Sequence, residues 1–175
     1  MNGYAPAAVI SCCDSHCPEE VITGELQRND IAVIRLAAPE DCYRHDADAV
    51  ASRIVAAAKE VPPGISIGYV GVGAAAAGAL IAAAEEPDLV SVVVAVNGRT
   101  DLAVDYLRML RTPVLLIVND MPVLRMNREA LSFLRGERRL EIIHGDGEEA
   151  IGQIVQKAVR WISDRLSTPQ PSAAA

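Results

Sequence analysis

Aromatic side chains are scarce in this 175-residue chain, which has one Trp, one Phe and four Tyr. A core built on bulky rings is excluded. The hydrophobic share, 51% of the residues, is mostly Ala, Val, Ile and Leu, which favours close packing of helices on a sheet. Basic surplus is also lacking. The formal net charge of −7 argues against nucleic acid and anionic membrane as partners, because both attract basic surfaces. Residues 1–6 have neither a basic start nor an apolar stretch of the secretory kind, so a cytoplasmic protein is expected. Cys12, Cys13, Cys17 and Cys42 then read as thiols or a metal site before a disulfide framework. No internal repeat or dividing linker is visible. One domain over residues 1–166 is expected, with 167–175, rich in Ser, Pro and Ala, as a disordered tail. A single stretch, 67–84, is apolar enough to raise a membrane helix. Its Gly-Tyr-Val-Gly-Val-Gly opening and Ala run fit a buried strand, a tight turn and a small-residue helix better.

What is present is an alternation of short β-branched runs with helical patterns, the mark of parallel βαβ units. Strands are expected at 7–10, 31–36, 65–70, 89–96, 113–118 and 140–143. Helices are expected at 18–28, 47–60, 74–86, 101–110, 125–135 and 149–166. The last carries Ile151, Ile154, Val155, Ala158, Val159 and Ile162 on one face. Gly136 stands as a C-terminal stop for the helix before it. Six strands, each followed by a helix, give an α/β class: a three-layer α/β/α sandwich on a mostly parallel sheet. Right-handed crossovers place the functional edge at the strand carboxyl ends. That rule singles out Ser11, Cys12 and Cys13, then Gly71 to Ala75, Asn97, Asn119, Asp120, His144 and Asp146.

Over residues 31–166 the order of segments resembles the dienelactone-hydrolase-like branch of the α/β-hydrolases. The resemblance is carried by Leu80-Ile-Ala-Ala-Ala-Glu-Glu-Pro-Asp-Leu-Val, Asn97-Gly-Arg-Thr-Asp-Leu, Thr112-Pro-Val-Leu-Leu-Ile-Val, Pro122-Val-Leu-Arg-Met-Asn-Arg-Glu-Ala-Leu and Arg139-Leu-Glu-Ile-Ile. Ser15-His16-Cys17-Pro18 is similar to the loop after that family's first core strand. The resemblance implies a truncated α/β-hydrolase-like fold, in which the two strands that usually open such domains have no counterpart. It also implies a nucleophile on the elbow G-x-S-x-G, a strained strand-to-helix turn. The matching residues are Gly71-Val72-Gly73-Ala74-Ala75, with Gly73 at the nucleophile position and no Ser or Cys beside it. Asp120-Met-Pro-Val-Leu matches the acid's D-x-P-V-L pattern, and His144 falls near the histidine position in a shortened loop. The oxyanion segment is replaced by Ser11-Cys12-Cys13.

Ser-His-Asp hydrolysis needs a nucleophile at that elbow, so the resemblance implies a protein that has lost it. Ligand binding at the strand carboxyl edge is the expectation, with Ser11, Gly71, Gly73, Ala74 and Asn97 as contacts. A glycine at the elbow tip opens space, and the helix N-terminus behind it offers N–H groups to an anion. Thiol-dependent chemistry is a second expectation, with Cys12 or Cys13 as nucleophile, His144 as base and Asp120 orienting it.

Cys12-Cys13-Asp14-Ser15-His16 followed by Asp30-Ile-Ala-Val-Ile-Arg is similar to the first motif of β-carbonic anhydrases. That resemblance implies zinc, which would need a later His and Cys that the chain does not supply at 71–75. Capture of metal by Cys12, His16, Cys17 and Cys42 or His45 matches no standard zinc spacing. Gly71-Val-Gly-Ala-Ala-Ala fits a G-x-G-x-x-A dinucleotide fingerprint, but Asn97 stands where an acidic residue is expected. No metal and no cofactor is therefore expected. The expected partner is a small molecule, and a homodimer is expected if one sheet edge is left open.

Overall fold

The computed structural model describes residues 7–12, 18–37 and 46–166. The elements run β1 (Ala7–Cys12), α1 (Glu19–Arg28), β2 (Ala32–Ala37), α2 (Ala47–Lys59), β3 (Ile67–Val72), α3 (Ala74–Glu85), β4 (Val92–Val96), β5 (Val114–Val118), α4 (Met121–Phe133), β6 (Arg138–Ile142) and α5 (Gly147–Leu166). All six strands pair in parallel, in the order β2-β1-β3-β4-β5-β6. The expected α/β sandwich is the fold observed.

Alternation along the central strands sorts side chains to two faces. Tyr69, Val93, Ala95, Val114 and Leu116 pack under α2, α3 and α4, whereas Val70, Val72, Val94, Leu115 and Ile117 meet α1 and α5. Both faces of β3, β4 and β5 are covered, which is why these strands read as unbroken apolar runs. The helix α3 is buried almost all round, and its Ala-rich sequence lets it lie close to the sheet. At Gly71 an added Cβ would come within 2.5 Å of the Ala76 Cα, and at Gly78 within 2.4 Å of a Val50 methyl. No helix among the described residues is long and apolar enough to cross a membrane.

Some boundaries differ from the pattern in the sequence. The strand expected at 65–70 lies two residues later, so Gly71 belongs to β3 and the turn narrows to Gly73. No α-helix follows β4. Thr100–Ala103 is a 3-10 turn, and the chain continues to Leu110 through three-residue bonds such as Tyr106 N–H to the Ala103 carbonyl, 2.9 Å. That tighter period puts Thr100, Ala103, Leu107 and Leu110 in the core. The helix expected from 125 starts at Met121, since Pro122 fits a first turn. It ends at Phe133, and Gly136 serves another purpose: a Cβ there would lie 2.3 Å from the Arg111 carbonyl oxygen. The expectation for 167–175 lies outside the described residues.

Candidate functional site at the strand carboxyl edge

The order of the sheet reverses between β1 and β3, its two halves growing outward from that pair. In open parallel sheets a crevice forms at the carboxyl ends of such a pair, and ligands bind there. Cys12 ends β1 and lies in register with Val72, the residue before Gly73. Ser11 is opposite Gly71 in the same ladder. Cys13, His16, Cys17, Cys42 and His45 fall outside the described residues, and the zinc expectations that rest on them fall there too. Among the described residues no group of three His, Cys, Asp or Glu could hold a metal.

Gly73 is the corner between β3 and α3, at φ 63° and ψ −127°, a conformation L side chains rarely adopt. Its N–H donates to the Val96 carbonyl at 2.9 Å. Its carbonyl accepts from Ala76 N–H at 3.2 Å and from Arg99 N–H at 3.1 Å. The turn is thus stitched to the end of β4 and the loop beyond it. A Cβ placed on Gly73 would meet no heavy atom within 4 Å, so the space over the corner is open. Ala74 follows, half-buried, at the start of α3, where the first N–H groups of a helix have no intrahelical partner.

Asn97 takes a left-handed conformation, φ 47°, at the end of β4. Its Oδ1 accepts from Asn119 N–H at 2.9 Å and Asp120 N–H at 3.1 Å, while its Nδ2 donates to Asn119 Oδ1 at 2.6 Å. Asn97, expected as a ligand contact, joins the β4 and β5 loops through these bonds. Asn127, fully buried on α4, donates from Nδ2 to the Gly98 and Val123 carbonyls at 2.9 and 2.8 Å. Sequence reasoning singled out Asn119 but passed over Asn127. The available signal was an amide at an apolar position of α4, between Val123 and Ala130. Arg99 and Asp101 form a two-pronged ion pair at 2.8 and 2.9 Å, and that hydrogen bond raises the guanidinium pKa above its ordinary value.

Asp120 is exposed at the start of α4 and makes no side-chain cap. His144 is exposed just past β6, whose pairing persists through the Ile143 N–H to Val118 carbonyl bond at 2.8 Å. The two lie at the ends of neighbouring strands, yet no hydrogen bond or ion pair joins their side chains among the described residues. Gly145 and Gly147, both at positive φ, turn the chain quickly into α5. Three strand steps separate β6 from β3, about 14 Å at the usual interstrand spacing, and four separate it from β1, about 19 Å. The fold therefore brings the end of β1, at Cys12, beside the corner at Gly73, with Asp120 and His144 at the ends of β5 and β6.

Comparison with known proteins agrees with this architecture. No family model matches the chain. The crystal structure of dienelactone hydrolase from Anabaena variabilis superposes with a TM-score of 0.82 and 28% identity, over 94% of this chain and 88% of that one. The chain has the α/β-hydrolase fold in its dienelactone-hydrolase-like form. A monoacylglycerol lipase from Paleococcus ferrophilus shares this fold at TM-score 0.77 and 12% identity, over 92% of this chain and 96% of that one. By sequence, the chain is 35% identical over 115 residues to a Mycobacterium tuberculosis protein named provisionally as a phosphoribosyl transferase. The match covers 62% of this chain and 26% of that protein, so the chain spans about a quarter of its relative's length.

Proposed function

We propose that this chain is a non-hydrolytic member of the α/β-hydrolase fold, binding a small carboxylate-bearing molecule in the crevice beside Gly73. One observation carries the reading: Gly73 keeps a strained strand-to-helix corner but presents open space where a side chain would project. A serine there would supply the nucleophile of an ester hydrolase. A glycine supplies room, and the free N–H groups opening α3 suit an oxyanion. The strand-end switch between β1 and β3 supports the same location. His144 and Asp120, three and two strand steps away, have no nucleophile to serve. The phosphoribosyl transferase name belongs to a protein of which this chain matches 26%, so it does not direct the reading. The net charge of −7 supports a small-molecule partner over nucleic acid.

Calorimetric titration with phenylacetate tests the proposal. Saturable binding is expected, and Gly73→Val should weaken it at least tenfold by filling the opening, with circular dichroism confirming that the variant is folded. No binding would refute the proposal, as would wild-type turnover of 4-nitrophenyl acetate that saturates with substrate.

A further inference from the structure

A second concave surface lies away from Gly73, along the open edge of the sheet. The cleft, about 630 Å3, runs between edge strand β6 and the C-terminal half of α5. Because α5 returns antiparallel to β6, the cleft lies towards the amino ends of the strands, at the opposite pole from the elbow. Its size falls within the range of small-ligand sites. In a chain of net charge −7 it is lined by five cations and three carboxylates.

The hydrogen-bond balance of the cleft is one-sided. Each carboxylate already has a cation: Glu137 is held by Arg165, Glu141 by Lys157 at 2.9 Å and Arg139 at 3.5 Å, and Asp164 by Arg160 at 4.0 Å. Donors are left over. Among the described residues the Arg138 guanidinium reaches only the Gly136 carbonyl, at 3.3 Å, and Arg160 keeps 83% of its side chain exposed. Deeper in, Trp161 is 7% exposed and its indole N–H has no partner among the described residues. The Arg165 Nε is likewise buried without one, its guanidinium stacked 3.1 Å from the centre of the Trp161 ring. A buried donor without an acceptor costs about 1–3 kcal/mol. Cations outnumber carboxylates in the cleft, and a ligand made of acceptors, an oxyanion, complements the surplus donors.

We infer that this cleft binds a small oxyanion, a phosphate- or carboxylate-rich molecule. Arg138 and Arg160 are the entry cations, and Arg165, stacked on Trp161 and paired with Glu137, lies beneath them. Guanidinium forks match such oxygens in pairs, which is the geometry this arrangement offers. The inference is independent of the elbow, since no residue of one surface lies in the other.

Trp161 is the sole tryptophan of the chain, so its fluorescence reports on this cleft alone. Pyrophosphate, citrate and sodium chloride are titrated at matched ionic strength. Pyrophosphate or citrate should give a saturable change in Trp161 emission that chloride does not, and the tighter of the two identifies phosphate or carboxylate chemistry. Arg138→Gln with Arg160→Gln, both exposed substitutions, should weaken binding at least tenfold while leaving the melting temperature within about 2 °C. An equal response to chloride, an unsaturable response, or unchanged affinity in the double variant would overturn the inference.

Discussion

At the scale of single residues, Gly73 and Tyr69 show how conformation and burial set chemistry separately. Gly73 has space around it but not the φ an L residue prefers, so Gly73→Ala should destabilise by about 1–3 kcal/mol through backbone strain alone. Urea denaturation checks this, and a variant as stable as the parent would mean the corner relaxes. Tyr69 is the reverse case. Its hydroxyl is fully buried without a hydrogen-bond partner among the described residues, and burial, with a lesser push from Glu86, raises its pKa to about 12. An unfolded tyrosine ionises near 10, so between pH 10 and 12 the unfolded chain releases a proton that the folded chain retains. Stability from this group is complete below pH 10 and falls as pH rises to 12, by about 2–3 kcal/mol in all. Tyr69→Phe should flatten that fall, measured by denaturation at pH 9, 10 and 11, and should leave stability at pH 7 unchanged or raised.

Between elements, the close approach of β3 and α3 fixes where the corner stands. Gly71→Ala would set a methyl against the backbone of Ala76, and neither strand nor helix can yield without moving the elbow. A loss of about 2–4 kcal/mol is expected in chemical denaturation, since overpacking against backbone is costly. Asn97 is the second fastening, through three hydrogen bonds to the β5 loop. Asn97→Gly keeps the left-handed φ accessible and removes only the side chain. Its expected cost of about 1–3 kcal/mol therefore isolates the tether, and faster amide exchange at Asn119 and Asp120 would confirm it. Little of this was legible in sequence. Strand and helix periods locate elements to within a few residues, but the slide of β3 by two residues depends on pairing with β1 and β4. The segment after Thr100 tightened because its apolar residues had to meet the sheet, a tertiary demand that local propensity does not encode.

For the whole molecule, the order of apolar runs and glycine breaks was enough to read a doubly covered parallel sheet. Ala-rich α3 and the β-branched central strands could pack no other way. The site was legible only in part. Strand order, which pattern does not reveal, puts the topological switch beside Gly73 and leaves Asp120 and His144 on the far strands. Gly73→Ser alone is expected not to create an esterase: turnover of 4-nitrophenyl acetate should stay at the buffer rate, because no hydrogen bond from Asp120 orients His144 among the described residues. A gain of a hundredfold or more would show that His144 can serve a nucleophile at the corner.

Amide shift mapping of the nitrogen-15-labelled chain during phenylacetate titration tests the proposed site at Gly73 most directly. Saturable shifts centred on Gly73, Ala74 and Ala75 are the predicted result, with the amides of α5 unmoved. Shifts confined to β6 and α5, or none at all, would contradict it.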